Sequence, residues 1–313
     1  MFTHTSTNNT DKNSVTNILA NSWENRVAVK KEALDLSKYY DSNLPDYPLD
    51  LVPFRNDPRF IQLDEKTKQR ILSGAWICYN EKTIAVENHI ITPACSLLLR
   101  GKFDGLDNVE TKRVVAQTLV DEEFHILMCL EACMISREMH DMESFISPKP
   151  VVVSLLEELL KNENNDEYKD IILFGFSTVA EITINAYLGL LSQNKTIQPI
   201  NTETTYRHFM DEASHNKFFM DSSKIVYNNF DDNKKKQFIF ALENGLKSFV
   251  QVDLSTWVEI LKYVGFTSDE SNSIVNDSKN TPLGTRLVRD YTSIKNLLNS
   301  LQINLNDFNF DFS

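Results

Sequence analysis

"TLVDEEFHILMCLEA", residues 118–132, sets Glu122 and His125 inside an otherwise apolar stretch. A carboxylate is seldom buried unless a cation, a hydrogen-bond donor or a metal pairs with it. In a helix the two residues, three positions apart, project from one face. A lone Glu-x-x-His pair is common on ordinary helices, so its meaning depends on companions.

A second copy stands in "TTYRHFMDEASHNKFF", residues 204–219. Glu212 and His215 repeat the spacing, and His208 precedes Glu212 by four. From His208 to His215 is about 700° of helix, about 20° short of two turns, so the three side chains form one stripe. A di-iron carboxylate bundle needs one further glutamate from each of two other helices. "KTIAVENHIITPACSLLL" supplies Glu87, and "FGFSTVAEITINAYLGLL" supplies Glu181, the only ionisable group between Asp170 and Tyr187. Both are isolated carboxylates in apolar runs, costly to bury without a partner.

Spacing ties the four glutamates to a fold. Glu87 and Glu122 are 35 residues apart, with their midpoint near 104 inside the break "GKFDGLDN" (101–108). Glu181 and Glu212 are 31 apart, with their midpoint near 196 inside "SQNKTIQPIN" (192–201). Each pair then sits at one height on two antiparallel helices. Helical periodicity runs through 64–100, 110–140, 151–162, 166–193, 202–229, 232–248, 250–264 and 281–301, and strand-like alternation is nearly absent. The expected fold is all-α, a ferritin-like four-helix bundle with a long crossover and extra flanking helices. The core helices are 64–100, 110–140, 166–193 and 202–229. A polar lead-in, "MFTHTSTNNTDKNSVTN", opens the chain; residues 1–12 are expected to be disordered and 13–313 to form one domain.

The 313 residues carry a net charge of −12, which argues against nucleic acid or an anionic membrane as partner. No run reads as a membrane span, and a cytoplasmic location is the default. The four cysteines, Cys78, Cys95, Cys129 and Cys133, read as buried core thiols.

Four carboxylates and three imidazoles suit iron or manganese, since structural zinc favours thiolates, and calcium or magnesium favours oxygen alone. Spacing makes Glu122 and Glu212 the bridging ligands and Glu87 and Glu181 the terminal ones. With His208 added to the basic six, the pattern resembles the p-aminobenzoate N-oxygenase family. In that family Glu, DExxH, Glu and HxxxExxH follow one another at these spacings, here Glu87, Asp121-Glu122 with His125, Glu181, and His208 with Glu212 and His215. The resemblance covers roughly 70–220. It implies two iron ions, O2 as co-substrate, an external electron donor such as a reductase, and a small amine, free or carrier-bound, oxidised to hydroxylamine, nitroso or nitro in a specialised-metabolite pathway. It also implies Tyr79 near the substrate, and Arg286 or Arg289 as holders of an aryl carboxylate. A homodimer is left open.

Other residues have plainer readings. His89 points away from Glu87 and reads as a core or interhelical histidine. Glu123 reads as a surface or supporting residue. Asp121 and Asp211 each precede a bridging glutamate; orienting a metal-bound histidine is the less favoured of their readings. Two other functions stand beside the oxygenase: a different ferritin-like or haem-oxygenase-like di-iron oxidase, and a non-catalytic iron-handling protein. No glycine-rich dinucleotide motif is present, so electrons must come from outside the chain.

Overall fold

The computed structural model describes residues 14–31, 40–281, 284 and 290–312. Among them there is no β-strand. Helix α1 (Val15–Arg26) is followed by a short turn, Ala28–Lys30. Helix α2 (Glu65–Val86) passes through a π turn (Glu87–Ile91) into α3 (Thr92–Leu99), and α4 (Val109–Met139) returns antiparallel to them. A crossover with α5 (Val151–Asn162) leads to the second hairpin, α6 (Asp166–Ser192) and α7 (Pro199–Asn229). Around this bundle lie α8 (Asp232–Val250), α9 (Leu254–Tyr263), α10 (Ser268–Ser278) and α11 (Thr292–Ser300). The fold is the expected ferritin-like four-helix bundle with one long connection.

Local chemistry explains the boundaries. The side chains of Ser14, Asp64, Asn108 and Asn165 each accept from a backbone N–H of the first turn that follows. Pro199 opens α7, where its missing donor costs nothing. The first hairpin turns through Gly101 and Gly105 at φ +67° and +86°, and the Asp107 carboxylate lies where a Cβ on Gly101 would stand. The π turn has its own cause two residues past its end. Pro93 offers no N–H to the carbonyl of His89, and its ring crowds that carbonyl, so the ladder slips and Thr92 donates to Glu87 instead.

Within the polar lead-in Ser14 caps α1, and Val15–Asn17 are its first residues; residues 1–13, and with them the expected disorder of 1–12, lie outside the described residues. Two departures from the sequence reading stand out. Of the expected 281–301 helix the described residues show Thr292–Ser300, whereas α10 was not expected at all, its polar composition hiding a Thr267–Glu270 capping box. Helix α6 is long and apolar enough to cross a bilayer by length and composition, where no such run was expected, but 78% of its most apolar window is buried. Its apolarity is that of a central helix touching α7, α8, α5 and α11.

Gly175 sets how closely α6 and α8 approach: a Cβ there would lie 2.5 Å from the Cβ of Ala241. Glycine is ordinarily a poor helix residue, yet here enlarging it forces two backbones apart. Gly175→Val is expected to destabilise the fold by about 2 kcal/mol, the usual cost of overpacking, read as a lower denaturant midpoint at unchanged slope. An unchanged midpoint contradicts this packing.

Candidate metal centre

All seven expected ligand residues converge at the middle of the bundle, each at most 4% exposed. They fall into two groups whose donor atoms lie within 4.8 Å of one another: Glu87, His125 and His208, and Glu122, Glu181, Glu212 and His215. Glu122 lies between the groups. One of its oxygens is 2.8 Å from His215 Nδ1 and the other 3.5 Å from His125 Nδ1. Glu212 Oε1 is likewise shared, 3.3 Å from His215 Nδ1, 3.1 Å from His208 Nε2 and 3.6 Å from His125 Nδ1. Glu87 and Glu181 sit at opposite ends, near His208 (3.3 Å) and His215 (3.7 Å).

The histidines are aimed from behind. His125 Nε2 is 3.2 Å from Asp211, and His215 Nε2 is 3.2 Å from Asp121, so Nδ1 of each faces the centre. The bracing is crossed, because each hairpin's aspartate holds the other hairpin's histidine. Trp23 Nε1 donates to both oxygens of Asp121 at 2.9 and 3.0 Å, and the Ala28 N–H donates to Asp211 at 3.1 Å. The less favoured reading of the two aspartates is therefore the one their geometry supports. The part of α1 and the turn after it was missed, although Trp23 in a Ser-capped run was a usable signal.

The donor set fits a dinuclear metal site. Glu87 Oε2, both oxygens of Glu181 and Glu212 Oε2 are buried without hydrogen-bond partners. Buried polar atoms are otherwise almost always paired, and these face one another across a space that cations can satisfy. Residues 9–302 match the family model for the p-aminobenzoate N-oxygenase AurF.

The chain belongs to the p-aminobenzoate N-oxygenase family.

Against the 4-aminobenzoate N-oxygenase of Streptomyces thioluteus it is 35% identical over 299 residues, which cover 94% of this chain and 88% of that protein. As in the family's pattern, a third histidine joins the basic set. His208 stacks on His125 with ring centroids 3.9 Å apart and presents Nε2 rather than Nδ1.

A cavity of about 150 Å³ opens onto the centre. Glu87, Glu122, Glu181, His208 and Glu212 form one wall, and Tyr47, Tyr79, Tyr187, Val86 and Ile184 contribute to the others. Tyr79 thus lies in the cavity wall, its hydroxyl buried without a partner and its pKa pushed well above the ordinary phenol range by burial and by Cys129. Lys82, Tyr47 and Tyr187 are wall residues that the sequence reading did not single out. Arg286 and Arg289 lie outside the described residues. His89 is exposed on the outer side of the π turn, neither core nor ligand, and Glu123 is exposed as well. All four cysteines are buried and free.

The cluster balances its charge with protons. Burial and the nearby Glu122 push the Glu87 carboxyl well above the usual range, and burial with Glu212 and Glu122 does the same to Glu181. In Glu212 burial is outweighed by His215 and by hydrogen bonds from His208 and His215, holding it well below that range. His125 and His215 are raised against burial, the first by Asp211 and Glu122, the second by Glu212 and Glu122. Burial and His125 lower His208.

Two outcomes follow. Asp121→Asn and Asp211→Asn should each weaken metal binding about 10- to 100-fold with little change in thermal stability, as measured by competition with a chromogenic chelator; unaltered affinity in both variants rejects the bracing. Metal binding should also expel the protons on Glu87, Glu181, His125 and His215. The metal-free form then holds more protons than the loaded one, so affinity rises with pH until the raised pKa values are passed. Calorimetry in buffers of different ionisation enthalpy reads this directly, and absence of proton release counts against it.

Proposed function

We propose that this chain is a di-iron oxygenase that uses O2 to oxidise the nitrogen of a small aromatic amine, of the size of the 4-aminobenzoate named for its relative. The observation that carries the reading is the cavity: about 150 Å³ is the room a benzene-sized ring takes up, and five of the candidate ligands form one of its walls. Glu87, His125 and His208 would hold one iron, Glu181 and His215 the other, with Glu122 and Glu212 bridging. Bound there, iron supplies the O2 activation and electron transfer that no side chain provides.

The chain's own residues do the rest. Asp121 and Asp211 hold the imidazoles with Nδ1 forward, which fixes both the ring and the tautomer. Val86, Ile91, Ala180 and Ile184 surround the reacting nitrogen with apolar surface and keep water from it. Tyr79 stays protonated and has its hydroxyl free to donate towards the substrate. Arg286 and Arg289 are proposed partners for a substrate carboxylate; Asp290 and Tyr291, which follow them directly, line the cavity. Electrons come from an external donor, and a cytoplasmic enzyme accords with four free thiols.

The test is anaerobic reconstitution with Fe(II), then O2 and reductant, with mass spectrometry of 4-aminobenzoate and related amines. The expected product carries oxygen on nitrogen. Glu122→Ala should lose iron. His208→Ala should fold and keep its iron, because the other six ligands suffice for the site, yet lose amine oxidation about 100-fold, on the order of 3 kcal/mol. An iron-handling protein gives the opposite pattern: O2 consumed with Fe(II) by both proteins and no N–O product from any amine, which ends the N-oxygenase reading and spares the di-iron one.

A further inference from the structure

The C-terminal segment "INLNDFNFDFS", residues 303–313, lies beyond residue 302, where the match to the family model ends. Its described part does not trail away from the domain. At the end of α11 Gln302 takes a left-handed conformation, φ +59°. Its N–H donates to the carbonyl of Asn299, and the N–H of Ile303 donates to that of Leu298. These two bonds make a Schellman turn, usually closed by glycine. A glutamine there is strained, and the strain persists only where surrounding contacts hold the chain reversed.

Those contacts converge on one ring. Tyr291, itself 3% exposed, is met edge-on by Phe310 at 5.2 Å and by Phe312 at 5.9 Å. Phe308 is 3% exposed and stacks on Phe312. The segment is fastened on two sides: the Asn309 N–H donates to Glu243 of α8 at 2.8 Å, and Lys295 of α11 lies over the Phe312 ring at 5.3 Å. Tyr291 also lines the cavity that reaches the metal centre. A second, open recess, lined by Phe308, Phe310 and Asp311, shares Val250 and Gln251 with that cavity. The segment therefore stands behind one cavity wall and beside a recess adjoining it.

We propose that residues 303–312 are the specificity-determining backing of the substrate cavity: by clamping Tyr291 they fix that wall and exclude amines with a bulky substituent. The inference rests on the cavity being the substrate site. Without the clamp, the Tyr291 ring loses the aromatic faces that hold it, and the cavity opens into the neighbouring recess. Phe310 and Phe312 touch neither substrate nor metal; they act through Tyr291.

The experiment compares the full chain with a chain ending at Gln302 and with the double variant Phe310→Ala/Phe312→Ala. Two quantities are read. One is the ratio of kcat/KM for 4-(aminobenzoyl)glycine to that for 4-aminobenzoate. The other, independent of turnover, is the rate at which 2,2′-bipyridine strips Fe(II) from the protein. Both should rise about tenfold, the scale at which a pocket discriminates by small volumes, while iron content stays that of the full chain. If the truncated chain does not fold, the double variant alone decides. An unchanged ratio and an unchanged stripping rate in a folded, iron-loaded variant overturn the proposal. If the full chain oxidises no amine, the N-oxygenase reading fails by itself, and the stripping rate still judges the clamp.

Discussion

Four carboxylates and three imidazoles meet in the middle of an apolar bundle, and everything else in the molecule answers to that. An uncompensated buried ion costs several kcal/mol, and a whole domain is stable by only about 5–15 kcal/mol. Four such carboxylates left to themselves would therefore outweigh the fold. Protons on Glu87, Glu181, His125 and His215 are one form of compensation. Two divalent cations would be the other, and they would also satisfy the carboxylate oxygens left without hydrogen bonds. Charge neutrality and hydrogen-bond satisfaction thus point to the same occupant.

The bundle meets this demand with two hairpins of one plan, each giving a glutamate from its first long helix and a Glu-x-x-His from its second. The crossed pairs Asp121–His215 and Asp211–His125 bind the hairpins to each other. Ring orientation consequently depends on the docking of both hairpins, and neither holds its own histidine in place. The segment from Trp23 to Ala28 touches both aspartates from the same end, so the short N-terminal helix secures the two halves together.

Most of this was legible in the sequence because burial leaves a trace there. An isolated glutamate among apolar residues, such as Glu181, is conspicuous, and the midpoints of the two glutamate pairs fell on loops because antiparallel helices place equal heights at equal distances from the turn. What stayed hidden depended on contacts between distant segments. Nothing near Asp121 announces Trp23, which lies 98 positions away. Helix α10 escaped because its buried face rests on a few residues, Ile274 and Val275 among them, within a polar run. His89 does point away from Glu87 as read, but that side of the helix faces solvent rather than a neighbouring helix.

That turn gives the long first helix an adjustable length. An α-helix advances about 100° per residue, and a π turn amounts to one residue more than the regular ladder needs. Wound instead as regular α-helix, the same residues would turn everything before 87 by about 100° relative to α3. Tyr79 and Lys82 would then swing off the cavity wall while α3 kept its seat against α4. The face that α2 offers to a bound molecule is therefore set by the one residue that the π turn absorbs, and Pro93, just beyond it, favours its absorption there.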